Sequence, residues 1–445
     1  MRPMASPARA TGTAAAPENE GADAKGESLP ARPSVGPPHP VGDERAEPGS
    51  LPDWALLAIT AAVCLPIAML GYGTDLDIGD VRATGQLIRD ADYFPSRTPG
   101  VPVFETIVAV FDPVGHFAIN ALTAAAAGAA VVGIARIVRR LGHPNGDLVA
   151  LAFLASPITL VAATSTTDFI WAVAFFVWAA LFHLRDKLLP AVVLFALAIG
   201  CRSSTSLLIV SFLVADGWDR DRRVRCLQTF AGIVPVAILL YVPSYLAFDR
   251  TLNFLAHSDG WRGLANNSSR FLYKNYVATG GAFILVALTF VPALWRSLRR
   301  WRHDRLVRIA ALGFLATEML FLQLPWKLAH LLPALLMLVL WLGATDRNRR
   351  PWMIVLIVAV ALNGVIAFRP FTPDRPDQSA SADFEPVFMY GLLLNDVRCR
   401  ARYMDRDPAP LENPQALDSW FCSLEPLRGP TVLGPDQTDA DLLGQ

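Results

Sequence analysis

Asp75, Asp77 and Asp80 place three carboxylates within six residues, and Arg97 follows just before a Pro99-Gly100-Val101-Pro102 turn. Carboxylates this close repel one another, so at least one pKa should rise unless a cation is near. Such a group can act as general base toward a hydroxyl. A pair, Asp77 with Asp80 foremost, could also hold a divalent ion such as Mg²⁺ or Mn²⁺ through its oxygens. Two prolines around a glycine make a rigid turn, and an arginine guanidinium matches phosphate with a planar fork. Plainer uses exist for the same residues. Asp80 could cap a helix from Val81 to Asp90. Asp75 and Asp77 could be solvated loop acids, and Arg97 could snorkel to lipid headgroups.

Three more cationic or titratable residues stand at segment ends: Arg202, Lys327 and His330. Cations there could neutralise a phosphate leaving group as its bond breaks. Alternatively, Arg202 satisfies helix-end carbonyls, Lys327 anchors at an interface, and His330 is a packed histidine. Asp168 follows Ser165-Thr166-Thr167 and is expected to cap the next helix, with a site role second. Arg262, Arg270 and Lys274 are weaker candidates, and Asn267-Ser268-Ser269 matches a glycosylation sequon. The five cysteines form no metal-binding pattern. Cys399 and Cys422 would pair if their segment faces an oxidising compartment, or else remain thiols.

The elements that position these residues are apolar. Of 445 residues, 53% are hydrophobic and 18% charged, against about 25% charged in soluble proteins. Many apolar runs approach the roughly 20 residues that cross a bilayer. The reading is an all-α polytopic membrane protein of about 11 transmembrane helices. Residues 1–50 are rich in Pro, Ala, Gly and charge and are expected to be disordered. The apolar run starts too late for a cleavable signal peptide. Spans are expected at 54–72, 114–137, 147–163, 168–183, 227–248, 277–295, 309–322, 328–342 and 352–368, with 249–276 a polar loop. Val101–Phe111 is too short to cross and fits an interfacial helix closed by Asp112-Pro113. Leu188–Val214 divides into two half-length helices turning at Cys201–Ser204. The positive-inside rule selects that hairpin, because it returns Arg220, Arg222, Arg223 and Arg225 to the other basic loops. Roughly twice as many basic residues then fall inside as outside. The N-terminus is therefore expected in the cytoplasm. The loop at 73–100, the loop at 249–276, the Trp326-Lys327 turn and a polar tail or small domain at 369–445 are expected outside. The balanced net charge gives no reason to expect nucleic acid as a partner.

The run Tyr93-Phe94-Pro95-Ser96-Arg97-Thr98-Pro99-Gly100-Val101-Pro102-Val103-Phe104-Glu105, behind a membrane helix and an acidic loop, resembles the first external loop of GT-C-type membrane glycosyltransferases. These include bacterial enzymes similar to protein mannosyltransferases and aminoarabinose transferases. Gly200-Cys201-Arg202-Ser203 resembles that family's turn between half-helices. Leu324-Pro325-Trp326-Lys327-Leu328-Ala329-His330-Leu331-Leu332-Pro333 resembles its entry to a late helix. The likeness spans residues 54–368. It implies transfer of a sugar from a polyprenyl-phosphate-linked donor on the outer face of a bacterial inner membrane. The acceptor would be a glycan, lipid or protein. It carries catalytic base or metal ligation onto Asp77 and Asp80, with Asp75 third. Arg97, Arg202, Lys327 and His330 are then the donor-phosphate candidates. A family Glu beside the acidic run is missing here.

Other classes fit less well. A transporter or flippase of lipid-linked sugars would carry charges in mid-helix, where Glu318 is the main example. No repeat relates the two halves. A non-catalytic assembly subunit is the third reading.

Overall fold

The computed structural model describes residues 50–75, 77–97, 99–247, 260–323, 327–369, 372–373, 382–383 and 387–403. The expected disordered tail, Leu324–Trp326, Cys422 and the end of the chain lie outside these residues, as do the side chains of Arg262 and Arg270.

The chain enters through α1 (Asp53–Ala68), then α2 (Asp77–Arg89) and α3 (Pro102–Phe111). It continues through α4 (His116–Arg140), α5 (Gly146–Leu154), α6 (Pro157–Ala163) and α7 (Phe169–Leu184). Next come α8 (Leu188–Cys201), α9 (Thr205–Asp216), α10 (Arg220–Ala247), α11 (Gly260–Leu298) and α12 (Arg305–Gln323). A 3-10 turn at Leu328–Leu331 leads into α13 (Leu332–Gly343) and α14 (Arg350–Val365). Two short antiparallel strand pairs follow: β1 (Ile366–Arg369) with β4 (Val387–Tyr390), and β2 (Thr372–Pro373) with β3 (Ala382–Asp383). Helix α15 (Leu392–Tyr403) ends the described chain.

Three described helices, α4, α10 and α12, are each long and apolar enough to cross a bilayer. The bent α5–α6 pair is a fourth if taken as one span, and the other apolar helices are shorter. The bend is 74° and falls at Ala155-Ser156-Pro157. A proline disfavours helical geometry in the residue before it, so the single helix expected over 147–163 breaks there. Helix α11 begins at Gly260, well before the expected 277, because 260–276 carries no proline to stop it. The segment expected as a loop is therefore helical from Gly260 onward, and 249–259 lies outside the described residues. The segment after 369 also contains more than a polar tail.

Helix α4 is the central post. Its small residues let neighbours approach closely: a side chain at Gly128 would meet Leu57 of α1, and one at Gly133 would meet Val177 of α7. At one end of α4, the His116 ring is 3.2 Å from the Met69 carbonyl. At the other, Arg136 and Arg139 pair with Asp53. These contacts define two ends of the bundle. The Arg136 end also holds His143 with Asp304 and Arg308 with Asp219.

The hairpin at 188–216 is real. Arg202 at its tip reaches Asp168, before α7, while Asp216 at the end of α9 reaches His183, near the end of α7. Helix α8 therefore runs toward the Asp168 end and α9 runs back. Helix α3, the segment expected to be interfacial, is anchored on one face and leaves Val110 exposed on the other. It packs against α2, α8 and α10, with Phe104, Val108 and Ala109 buried.

Candidate functional site

At the end of the bundle away from Arg136, four carboxylates and three cations meet. Asp75 opens α2, and its Oδ1 accepts from the Asp77 backbone N–H at 3.0 Å. The helix thus starts at Asp77, and Asp80 lies within its first turn rather than before it. This corrects the expectation that Asp80 caps a helix from Val81. Helix α2 is amphipathic: Ile78, Val81, Thr84 and Gly85 face inward, and Gly85 lets α2 approach the α3 backbone near Ala109. Arg82 donates to Asp112 at 2.8 Å and ties α2 to the end of α3.

The 93–105 run is a folded latch. Glu105, fully buried, accepts from Tyr93 Oη at 2.8 Å, the Ser96 backbone N–H at 2.9 Å and Ser96 Oγ at 2.6 Å. Gly100 has φ +95°, and a Cβ there would fall 2.6 Å from Ser244 Oγ of α10. Together these fix the turn that carries Arg97. The turn does not aim Arg97 along the lipid surface. It directs the guanidinium between Asp77 and Asp168, with the Asp168 contact at 2.8 Å. Burial disfavours the Arg97 charge, but Asp168 and Asp77 outweigh it and hold the proton more tightly than usual.

Asp168 is the hub. It makes no side-chain cap to α7. Its carboxylate instead takes Arg97 and, at 2.9 Å, Arg202. Burial works to raise its pKa, yet the two arginines bring it below the ordinary carboxylate value. The Arg202 guanidinium also stacks 3.7 Å from the centre of the Phe169 ring, and His330 packs against that ring at 5.7 Å.

Lys327 arrives from the far end of the chain. Its Nζ lies 2.8 Å from Asp75 Oδ1 and 2.5 Å from Asp77 Oδ1. Burial disfavours its charge, but the two aspartates raise its pKa. Asp80 is different. It is exposed and makes no hydrogen bond or ion pair among the described residues. Its carboxyl is nevertheless partly buried; that burial and the neighbouring Asp77 push its pKa up, while Lys327 and Arg97 pull it down, and the net shift is upward.

Sequence spacing brought Asp75, Asp77, Asp80, Arg97, Arg202 and Lys327 to one place, with His330 one ring away. It undervalued Asp168. The usable signal was its position at a helix end on the same face as the acidic loop. Lys274 and Asn267 sit on α11; Asn267 donates to the Gln323 carbonyl. Glu318 on α12 accepts from Asn275 of α11 at 3.1 Å.

The donor set at Asp75, Asp77 and Asp80 fits a divalent ion poorly. The Lys327 ammonium already bridges Asp75 and Asp77, where a shared cation would sit. Among the described residues, the group with three ligand atoms at metal-like spacing is elsewhere: His183, Asp216 and Cys226. That group lies at the opposite end. Arg222 and Arg305 already neutralise its single carboxylate, so it reads as a junction of α7, α9, α10 and α12. Cys226 is a free thiol there, as Cys64 and Cys201 are elsewhere. Cys399 is disulfide-bonded.

No protein-family model matches the chain, and no curated protein matches it. The fold is nevertheless a known one among solved structures, and it agrees in kind with the all-helical architecture expected over 54–368. One solved structure of similar fold is ArnT from Cupriavidus metallidurans bound to undecaprenyl phosphate. It is 17% identical and superposes with a TM-score of 0.53 over 70% of this chain and 63% of that one. The apo structure of the same protein aligns at 19% identity over 68% of this chain and 62% of that one, with a TM-score of 0.48. The chain thus spans under two thirds of the ArnT chain, and the likeness is one of fold.

Proposed function

We propose that this protein is a membrane glycosyltransferase that moves a sugar from a polyprenyl-phosphate-linked donor to an acceptor hydroxyl at the extracytoplasmic face. The observation that carries this reading is the convergence of Asp75, Asp77, Asp80 and Asp168 with Arg97, Arg202 and Lys327 at one end of an ArnT-like bundle. The fold neighbour binds a polyprenyl phosphate. The basic loops at the opposite end support a cytoplasmic assignment for that end, and so an outer position for the site.

In this reading Asp80 is the general base. Of the four carboxylates it is the one that makes no hydrogen bond or ion pair among the described residues, and its raised pKa makes it the stronger base. It takes the proton of the acceptor hydroxyl. The oxygen attacks the anomeric carbon, the bond from that carbon to the phosphate oxygen breaks, and polyprenyl phosphate leaves with inversion. Arg97 and Lys327 meet the leaving phosphate. Before donor binds, Asp75, Asp77 and Asp168 hold these cations in place, so little reorganisation is needed when negative charge develops. Arg202, held by Asp168 and Phe169, positions that carboxylate. His330 supports the same ring. The residues do not call for a metal, and no step here uses one.

The test is transfer of labelled sugar from a synthetic polyprenyl-phosphate donor in proteoliposomes, comparing wild type with Asp80→Asn and Asp77→Asn. Product formation that Asp80→Asn abolishes supports the reading. Movement of labelled donor across the bilayer without transfer would replace it with a flippase.

A further inference from the structure

We infer that helix α15, beyond the segment that resembles the transferase family, is a clamp whose Asp396 and Arg400 set the spacing of the two loops that carry Asp75 and Asp168. The kinetic part of this inference rests on the proposed transferase reading; the structural part does not.

Asp396 and Arg400 stand one turn apart on α15 and pair at 2.7 Å, with side chains only 3% and 1% exposed. Each then reaches a different loop. Asp396 Oδ1 accepts from Thr74 Oγ1 at 2.7 Å, on the residue before Asp75. Arg400 Nη1 donates to the Thr164 carbonyl at 2.7 Å, and Nη2 donates to Ser165 Oγ, three residues before Asp168. The two loops are already in contact beneath the helix. The Thr166 N–H donates to the Tyr72 carbonyl at 2.9 Å. Gly73 has φ +118°, and a Cβ there would fall 2.7 Å from Ser165.

The helix is seated firmly. Its lead-in residue Gly391 passes so close to α14 that a Cβ would lie 2.3 Å from the Gly364 carbonyl carbon. Leu393 packs on Gly364. A surface helix that only added stability would gain as much from an apolar pair, since a buried ion pair must first overcome its desolvation. A buried pair that hydrogen-bonds two separate loops specifies geometry instead. Those loops set the distance between Asp75–Asp77 and Asp168, and hence where Arg97 and Lys327 can sit. Asp396, Arg400 and Thr74 are thus positioning residues.

The experiment uses the full chain in proteoliposomes with Thr74→Val, Asp396→Asn, Arg400→Lys and Arg400→Gln. Steady-state kinetics with a polyprenyl-phosphate sugar is read alongside hydrogen exchange of peptides covering 72–80 and 164–170. For Asp396→Asn and Arg400→Gln, kcat should fall by about 10²-fold, the cost of a misplacement on the order of 1 Å, with KM for donor nearly unchanged. Both peptides should lose protection together. Thr74→Val should loosen 72–80 more than 164–170. Arg400→Lys, which keeps the charge but not the fork, should fall between wild type and Arg400→Gln. Variants that melt earlier yet keep wild-type kcat and wild-type exchange in both loops overturn the clamp. If the wild type transfers no sugar, the transferase reading fails alone. The exchange measurement still decides the clamp, and unchanged protection in Asp396→Asn and Arg400→Gln overturns it.

Discussion

Replacing Asp80 with asparagine removes a carboxylate that makes no hydrogen bond or ion pair among the described residues, so the fold should be spared while the proposed base is lost. General-base catalysis typically contributes 10²- to 10⁴-fold, and kcat should drop by that factor, about 3–5 kcal/mol of barrier. The pH profile gives a sharper check. Asp80 must be ionised to accept a proton, so activity is present above its pKa and lost as pH falls through it. Burial and Asp77 raise that pKa, and Lys327 and Arg97 oppose them. The acid limb of kcat/KM in the wild type should therefore lie above the ordinary carboxylate range. Asp77→Asn removes a repelling neighbour, lowers the Asp80 pKa and moves the limb to lower pH. Lys327→Met removes a cation that favours the ionised form and moves the limb to higher pH. The assay is single-donor transfer in proteoliposomes across a pH series, with kcat/KM reporting the free enzyme. Wild-type kcat in Asp80→Asn, or limb shifts of the same sign in the other two variants, would refute the assignment.

Asp168→Asn leaves Arg97 and Arg202 facing each other without their shared anion. Breaking a buried pair in this way costs on the order of 3–5 kcal/mol. The lower end is expected, because the Arg97 side chain remains 26% exposed, and thermal unfolding in detergent should show it. Gly100→Ala places a methyl 2.6 Å from Ser244 Oγ at a positive φ. Strain of about 1–3 kcal/mol is expected, measured as lower folded yield and a lower melting temperature, and Ser244→Gly should recover only the steric part. Chelation should leave transfer unchanged, since Lys327 supplies the charge between Asp75 and Asp77. Inhibition by a chelator that added Mg²⁺ or Mn²⁺ reverses would contradict that.

Much of the architecture is readable from the residues because a bilayer imposes long apolar helices and sorts basic loops to one side. The hairpin at Arg202 follows from charge sorting alone. The break at Pro157 and the early start of α11 do not, since local backbone preference is a weak signal. The acidic run, the Arg97 turn and Lys327 were also recognisable as chemistry, because lone charges stand out against an apolar background.

The chain by itself determined that Asp75, Asp77, Asp80, Arg97, Arg202 and Lys327 would stand at helix ends on one face. Their spacing and the lipid's intolerance of charge leave them nowhere else. Only the tertiary structure decided who pairs with whom. Asp168 became the hub rather than a cap because α7 begins beneath both Arg97 and Arg202. Glu105 became the latch that aims Arg97, because α3 folds back under its own loop. Lys327, 252 residues from Asp75 in sequence, took the cation position between two aspartates. Such contacts depend on how helices distant in sequence pack, and local pattern carries no record of that. Among the described residues, Asp80 was thereby left as the carboxylate of the acidic run without a hydrogen bond or ion pair.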